Sequence, residues 1–179
     1  MNIEEQAREV EAVVDADERV GAAVGIAENT IERTDAVLDA GADAIVLDVA
    51  HGHLEKCLDS VERVREQFGD IELIVGNVAT AEAVEDLYSA GADTVKVGIG
   101  PGSHCTTRKV AGADVPQLTA IDDTAGVAHD YGMSVIADGG IRSSGDAVKA
   151  LVAGADTVMM GSLFAGTEDA PPDIIEREG

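Results

Sequence analysis

Basic residues, aromatic residues and cysteines are all scarce in this sequence. Lysine and arginine together number 12 against 35 aspartates and glutamates, which gives a formal net charge of -23. A surface of this sign repels phosphate backbones and anionic lipid, which argues against nucleic-acid binding. The acids are scattered along the chain, and only 2% of the residues are aromatic. This composition is typical of a halophilic protein, whose dense carboxylates stay hydrated while salt screens their repulsion.

The two cysteines, Cys57 and Cys105, are far apart, and no CxxC or histidine-rich spacing accompanies them. The pattern argues against a disulfide scaffold and against a zinc site. No apolar run approaches the roughly 18 residues that a membrane span requires, and residues 1–17 contain no apolar signal-peptide segment. We therefore expect a cytoplasmic protein with no membrane partner.

An internal repeat organises the chain. Three segments nearly coincide, namely AGADAIVLD at 40–48, AGADTVKVG at 90–98 and AGADTVMMG at 153–161. Each follows a helical pattern, so its glycine suits a helix C-terminus. The short β-branched run after the glycine suits a strand that is buried on both faces. The repeated unit is predicted to be helix, tight turn and strand.

Six alternating βα units follow when the remaining patterns are added. Further strands are predicted at 20–25, 73–77 and 134–140, and helices at 28–39, 54–68, 81–90, 119–131 and 144–153. Strict alternation predicts a parallel sheet with right-handed crossovers, either closed as a barrel or open and doubly wound. Chemistry-bearing residues end almost every strand, whereas an open sheet concentrates its site at one switch point, so the pattern favours the barrel.

The predicted fold is therefore α/β, a TIM (β/α)8-type barrel with about six of its βα units. It is incomplete because a whole barrel typically needs about 250 residues. Residues 1–19 are predicted to form an acidic, partly helical lead-in, 20–170 the barrel domain and 171–179 a polar tail.

The loop GIGPGSHCTTR at 98–108 follows the fourth predicted strand and contains three glycines in five residues. Such a loop lets backbone groups approach a ligand closely. Cys105 in this setting can be accessible and near donors that favour the thiolate, with Arg108 and Lys109 adding positive charge. A free thiol at a loop edge, without a role, accounts for the same residues. Spacing alone leaves both interpretations open.

Two glycine-containing turns suggest a nucleoside monophosphate. Asp138, followed by Gly139 and Gly140, places a carboxylate beside a backbone that can pack against a sugar. Gly161 and Ser162, after the sixth strand, resemble the phosphate-holding turn that barrels build after their last strands. The alternative is that these glycines only turn the chain into its helices.

Polar residues at two other strand ends allow more than one interpretation. Asp48 is followed by His51 and His53, but no third ligand is evident, so capping or ribose hydrogen bonding is favoured over zinc. Asn77 either turns its amide into the barrel mouth or caps the following helix. Cys57 lies within a helical pattern and is predicted to be a packing residue.

Five runs carry a family resemblance. The run GPGSHCTTRKVAG at 100–112, followed by Pro116 and Gln117, resembles the catalytic loop of the IMP dehydrogenase and GMP reductase family. The other four occur in the family's order, as LDVAHGH at 47–53, VGNVAT at 75–80, IADGGIR at 136–142 and MGSLFAGTE at 160–168. The resemblance covers roughly residues 20 to 170.

This resemblance implies a two-step oxidation of IMP to XMP. Cys105 attacks C2 of the purine, hydride leaves to NAD, and water then releases the product from the covalent intermediate. Thr107 would position or activate that water. The resemblance further implies that the phosphate is held by Ser103, Gly140, Gly161 and Ser162.

The resemblance also implies the remaining ligand contacts. Asp138 would bind the ribose of the nucleotide, with Asp48 and Asn77 on the cofactor side. Backbone carbonyls of Gly100, Gly102 and Cys105 would coordinate a potassium ion. The implied assembly is a homo-oligomer, a tetramer in the family.

The choice within the family rests on small differences. Ile141 after the Asp-Gly-Gly run and Ser162 after Gly161 are similar to the dehydrogenase, whereas the LDVA run at 47–50 is reductase-like. The alternatives are therefore a GMP reductase, which converts GMP to IMP with NADPH, and a truncated, non-catalytic remnant that binds nucleotide. The resemblance implies that two barrel strands, a regulatory CBS pair and an active-site flap are not in this chain. We expect hydrolysis to be impaired, and the open sheet edges to be covered by residues 1–19 or by another subunit.

Overall fold

The computed structural model describes residues 1–103, 105–167 and 170. The predicted alternation of strands and helices is confirmed, with boundaries that differ by one or two residues. The tail predicted at 171–179 and His104 of the catalytic-loop run lie outside the described residues. The elements in chain order are α1 (Ile3–Asp15), β1 (Gly21–Val24), α2 (Thr30–Asp39), β2 (Ala44–Asp48), α3 (Glu55–Phe68), β3 (Glu72–Val78), α4 (Ala81–Ala90), β4 (Thr94–Val97), α5 (Thr107–Val110), α6 (Gln117–Asp130), β5 (Ser134–Asp138), α7 (Ser144–Val152) and β6 (Thr157–Met159).

The sheet settles the choice between a barrel and a doubly wound fold. Its six strands are all parallel and pair in chain order, from β1 to β6. When strands are added to one edge of a sheet in chain order, right-handed crossovers place every connecting helix on the same face of the sheet. Helices lie on the other face only where the strand order reverses, as in a doubly wound sheet. In agreement, helices α1, α2, α3, α4, α6 and α7 contact one another in sequence, as a single layer does. The fold is a section of a (β/α)8 barrel.

The strands are less deeply buried than the repeat predicted. Burial alternates along β2, where Ile45 and Leu47 are fully buried and their neighbours are half-buried or exposed. β6 has no fully buried residue, and only β4 among the described strands is buried at every position. The prediction of strands buried on both faces was therefore wrong for β2 and β6. The outer face packs under the helices, while the inner face of an unclosed sheet stays partly open, most of all at the edge.

The aspartate of each repeat ties two strands together. The side chains of Asp43, Asp93 and Asp156 accept the backbone N–H of Val20, Leu73 and Val135 respectively, each at 2.8 Å. In return, the N–H of each aspartate donates to the carbonyl of the same residue. We call each reciprocal pair an aspartate clasp. The clasps join β1 to β2, β3 to β4 and β5 to β6, so the chain is built from three clasped βαβ units.

The N-terminal helix covers part of the first unit. Its start is a capping box, in which Asn2 and Glu5 exchange side-chain and backbone hydrogen bonds. α1 packs against α2, and the Gln6 amide donates to the carbonyl of Ala23 in edge strand β1, at 2.7 Å. Arg33 of α2 in turn donates to Gln6. Among the described residues, no helix is both long and apolar enough to cross a membrane.

Candidate functional site

The carboxyl ends of the parallel strands bring the candidate residues to one edge of the sheet. Asp48 ends β2, Asn77 lies near the end of β3, and Asp138 ends β5. The loop after β4 contains Cys105, and the turn after β6 contains Ser162. Since all strands run in the same direction, these side chains share one rim.

Two adjoining cavities occupy this rim. The first, of about 270 Å³, is lined by Asp48, Asn77, Lys96, Gly100, Cys105, Thr107 and Asp138 among others. The second, of about 180 Å³, is lined by Gly102, Ser103, Cys105, Asp138, Gly140, Gly161 and Ser162 among others. Cys105 and Asp138 line both. The thiol and one carboxylate therefore lie at the boundary between two compartments.

Glycines bring the cysteine loop over the end of β5. Gly139 and Gly140 have φ of +89° and +78°, a backbone that side-chain-bearing residues rarely adopt. A Cβ on Gly139 would lie 3.0 Å from the backbone nitrogen of Gly102. Across the second cavity, the Ser103 and Ser162 hydroxyls are 3.5 Å apart. The turns predicted to hold sugar and phosphate thus close on the loop that carries the thiol.

The two thiols have opposite character. Hydrogen bonds from the hydroxyl and the backbone N–H of Thr107 lower the pKa of the Cys105 thiol; slight burial opposes them, and the Gly100 N–H and the charge of Arg108 add smaller effects. Burial raises the pKa of Cys57 to about 11. Cys105 is therefore the more readily ionised thiol. The positive field expected from Arg108 and Lys109 contributes less than the hydroxyl of Thr107.

Lys96 is a site residue that sequence reasoning missed. It lies in mid-strand on β4 and is 4% exposed. Its ammonium donates to Asp48 at 2.8 Å, to Asp138 at 2.7 Å and to the Asn77 carbonyl oxygen at 2.5 Å. The repeat contained the signal, because Val46 and Met159 occupy the equivalent positions. A charged residue in the most buried strand needs partners.

Gly76 makes room for this lysine. A Cβ on Gly76 would lie 2.6 Å from both the Cβ and the carbonyl oxygen of Lys96. The register between β3 and β4 also shifts between Gly76 and Val78. Bulges of this kind re-aim a side chain, here Asn77.

Asn77 turns into the barrel mouth, which resolves the alternative that the sequence left open. Its amide nitrogen donates to the carbonyl of Gly98 at 2.7 Å and to Asp138 at 2.9 Å. The cap of α4 is Thr80 instead, whose hydroxyl accepts from the N–H of Ala83. His53, the other candidate of uncertain role, pairs with Asp86 at 2.7 Å.

The loop offers oxygen ligands rather than a metal cluster of side chains. In the described part of the chain, no group of three or more His, Cys, Asp or Glu residues could hold a metal ion. Gly100 has φ of +91°, and the carbonyl of Gly102 accepts the N–H of Cys105 at 3.1 Å in a tight turn. A carbonyl keeps a second lone pair after one such bond, so the turn is compatible with the backbone ligands that potassium takes.

Comparisons with known proteins agree with this geometry. The family model described as "IMP dehydrogenase / GMP reductase domain" matches residues 1–179. The chain is 57% identical over 161 residues to an inosine-5'-monophosphate dehydrogenase of Aquifex aeolicus and 60% identical over 161 residues to that of Chlorobaculum parvum. Each alignment covers 90% of this chain and 33% of the relative. The chain thus spans about a third of the length of these curated relatives.

A solved structure matches the fold as well. It is a GMP reductase from Trypanosoma brucei in complex with guanosine 5'-monophosphate, with a TM-score of 0.88 and 48% identity. The match covers 90% of this chain and 34% of that chain. The predicted family and the predicted incomplete barrel are both confirmed, and the chain belongs to the IMP dehydrogenase / GMP reductase family.

Proposed function

We propose that this chain carries the purine-oxidising centre of an IMP dehydrogenase, in which Cys105 forms a covalent bond to the nucleotide. The observation that carries the proposal is the position of Cys105 on the boundary between two cavities. Hydride transfer requires a nucleotide and a cofactor to meet at the reacting carbon. A thiol that lines both compartments can reach that carbon while the cofactor approaches from the other side.

The chemistry of the first step follows from the state of the thiol. The Cys105 thiolate attacks C2 of the hypoxanthine ring, a C–S bond forms, and the C2 hydrogen departs with its electron pair. NAD, when bound in the first cavity, would serve as the oxidant that accepts this hydride. The purine is oxidised and stays attached to Cys105. Thr107 favours the thiolate, because its hydroxyl and its backbone N–H lower the pKa of Cys105.

The second step releases the product. Water attacks the same carbon, the C–S bond breaks, XMP leaves and the thiol is restored. Thr107 lines the first cavity, so its hydroxyl can orient this water once the C–S bond has formed.

The second cavity suits a nucleoside monophosphate. The hydroxyls of Ser103 and Ser162 and the backbone of Gly140 and Gly161 supply neutral donors for the phosphate. Asp138 at the boundary supplies the acceptor that ribose hydroxyls require. This assignment agrees with the related GMP reductase structure, which is a complex with the purine mononucleotide guanosine 5'-monophosphate.

The first cavity suits the cofactor. Asp48 and Asn77 would face the nicotinamide ribose, since Asp48 is a half-exposed carboxylate at the cavity wall. Carbonyls of Gly100, Gly102 and Cys105 would hold potassium and thereby fix the shape of the loop.

A GMP reductase is the second candidate, favoured by the reductase structure that shares 48% identity with this chain. The dehydrogenase is preferred because the two curated relatives named above share 57% and 60% identity. The same thiol serves either reaction.

A rapid-mixing experiment tests the proposal. The chain is mixed with IMP and NAD, and NADH absorbance and the mass of the protein are followed. We expect a burst of about one NADH per chain and a purine adduct on Cys105. Parallel samples with GMP and NADPH test the reductase, through loss of NADPH absorbance.

The matched control exploits the second cysteine. Cys105→Ala should abolish the burst and the adduct, whereas Cys57→Ala, which removes a buried thiol that lines neither cavity, should keep both. NADH formation by Cys105→Ala would overturn the covalent mechanism. Tight IMP binding without any NADH in the wild-type chain would instead favour a nucleotide-binding remnant.

A further inference from the structure

Lys96 joins the two cavities through their carboxylates. Its three N–H groups have three acceptors, on Asp48, Asn77 and Asp138, so the ammonium is fully satisfied although it is buried. Asp48 and Asp138 lie 48 and 42 residues away in the chain. Among the residues that the structure describes, only the lysine forms a hydrogen bond with both carboxylates.

Each carboxylate commits one oxygen to the lysine and keeps the other. Oδ1 of Asp48 and Oδ2 of Asp138 accept from Lys96, and Oδ2 of Asp138 also accepts from Asn77. Within the described residues, no hydrogen bond reaches the second oxygen of either side chain. Both side chains line a cavity and are partly exposed, at 51% and 24%. One acceptor on each therefore remains for ligand hydroxyls.

Charge makes the arrangement depend on the lysine. Two carboxylates that lie within hydrogen-bond reach of one ammonium repel each other when that cation is absent. In a chain with a net charge of -23, no general positive field replaces it. Loss of Lys96 would also leave the Asn77 carbonyl oxygen without its donor. Both cavity walls would rearrange together.

We propose that Lys96 is a positioning residue that holds Asp48 and Asp138 in register, so that the ribose of the dinucleotide and the ribose of the mononucleotide bind cooperatively. This inference rests on the proposed function, because that function assigns one ribose to each carboxylate. Cooperativity follows because a hydroxyl that donates to one carboxylate fixes that side chain, and the shared ammonium then holds the other carboxylate in its binding position.

Binding measurements distinguish a Lys96 that couples the two ligand sites from a Lys96 that supports only one of them. Titration calorimetry measures the affinity for IMP, and the affinity for NAD with and without IMP. Asp48→Asn should weaken mainly NAD binding and Asp138→Asn mainly IMP binding, and either change should reduce the gain in NAD affinity that bound IMP gives. Lys96→Met should weaken both, each by about tenfold, the cost of one charge-assisted hydrogen bond. Lys56→Met, which removes an exposed lysine of α3, is the matched control and should leave both affinities unchanged.

Two further variants guard against misfolding. Lys96→Gln is neutral but keeps a donor, and Lys96→Arg keeps the charge. We expect Lys96→Gln to resemble Lys96→Met, and Lys96→Arg to recover most of both affinities. In each variant, the rate of Cys105 alkylation by iodoacetamide reports whether the loop is intact, since Lys96 makes no hydrogen bond to the thiol.

The outcomes distinguish this inference from the proposed function. Normal affinity for both ligands in folded Lys96→Met and Lys96→Gln, or loss of only one affinity, would overturn the coupling role. A wild-type chain that binds both ligands cooperatively but forms no NADH would contradict the proposed oxidation and leave the coupling role supported. A wild-type chain that binds neither ligand would overturn both.

Discussion

Removal of the aspartate clasps should lower stability without altering the cavities. Asp43→Ala, Asp93→Ala and Asp156→Ala each remove the acceptor of a strand N–H that is bonded at 2.8 Å. The side chains of Asp93 and Asp156 are 44% and 45% exposed, so water replaces part of the lost bond. We therefore expect each substitution to lower the free energy of unfolding by about 1 kcal/mol, which is less than the loss of a hydrogen bond to a fully buried charged group.

The three costs should add, because the clasps lie on different strand pairs and share no partner. The triple variant is expected to lose about 3 kcal/mol. For a chain of this size, 1 kcal/mol shifts Tm by about 2–4 °C, so the triple variant should melt about 6–12 °C below the wild type. Asp93→Ala should be the most costly single change, because Asp93 also pairs with Arg65 at 2.5 Å.

Acid should erase the contribution of Asp156. Burial alone would raise the pKa of this carboxyl, but the Val135 N–H and His129 outweigh it, and the pKa is lowered in the folded chain. A lowered folded pKa gives stability that is present above the unfolded value, about 3.9, and that is lost as the pH falls through the folded value. The Tm difference between the wild type and Asp156→Ala should therefore shrink below about pH 4.

Thermal unfolding by circular dichroism measures these shifts, with Asp123→Ala as the control. Asp123 is exposed on α6 and has no hydrogen-bond partner among the described residues. Asp123→Ala removes one negative charge, as each clasp substitution does. In this acidic chain, that change should leave Tm unchanged or raise it slightly. A triple clasp variant that melts with the wild type would refute the reasoning, as would an equal loss in Asp123→Ala.

Two further measurements follow from the thiols and the charge. Iodoacetamide should alkylate Cys105 in the folded chain and Cys57 only after unfolding. Thr107→Val should slow the alkylation of Cys105, and Thr107→Ser should preserve its rate. Equal rates in the two variants would contradict the role of the Thr107 hydroxyl in lowering the pKa of Cys105. Tm should rise with potassium chloride concentration, because salt screens the repulsion within a chain of net charge -23; a Tm that does not respond to salt would reject adaptation to high salt.

The periodicity of the sequence was sufficient to predict the fold, since hydrophobic patterns and repeated glycines are local signals. It was not sufficient to predict which side chains form hydrogen bonds with one another. The clasp aspartates could be seen as a repeat, but their acceptor role depends on strand residues 20 or more positions away. The choice for Asn77 likewise required knowing that Thr80 already caps α4. Lys96 broke the apolar pattern, and such a break in a buried strand indicates a polar cluster even without knowledge of its members.

The pairing of every strand with its neighbour in the chain also bears on how the molecule reaches its native state. Parallel sheets are slow to assemble when they join distant segments, because the entropy of loop closure is lost before the stabilising contacts between strands can form. Here each clasped βαβ unit closes over a short stretch of chain, so a unit can become ordered before the units beyond it exist. Within the described residues, the sheet can therefore grow unit by unit, with each helix and strand docking on an edge that is already in place.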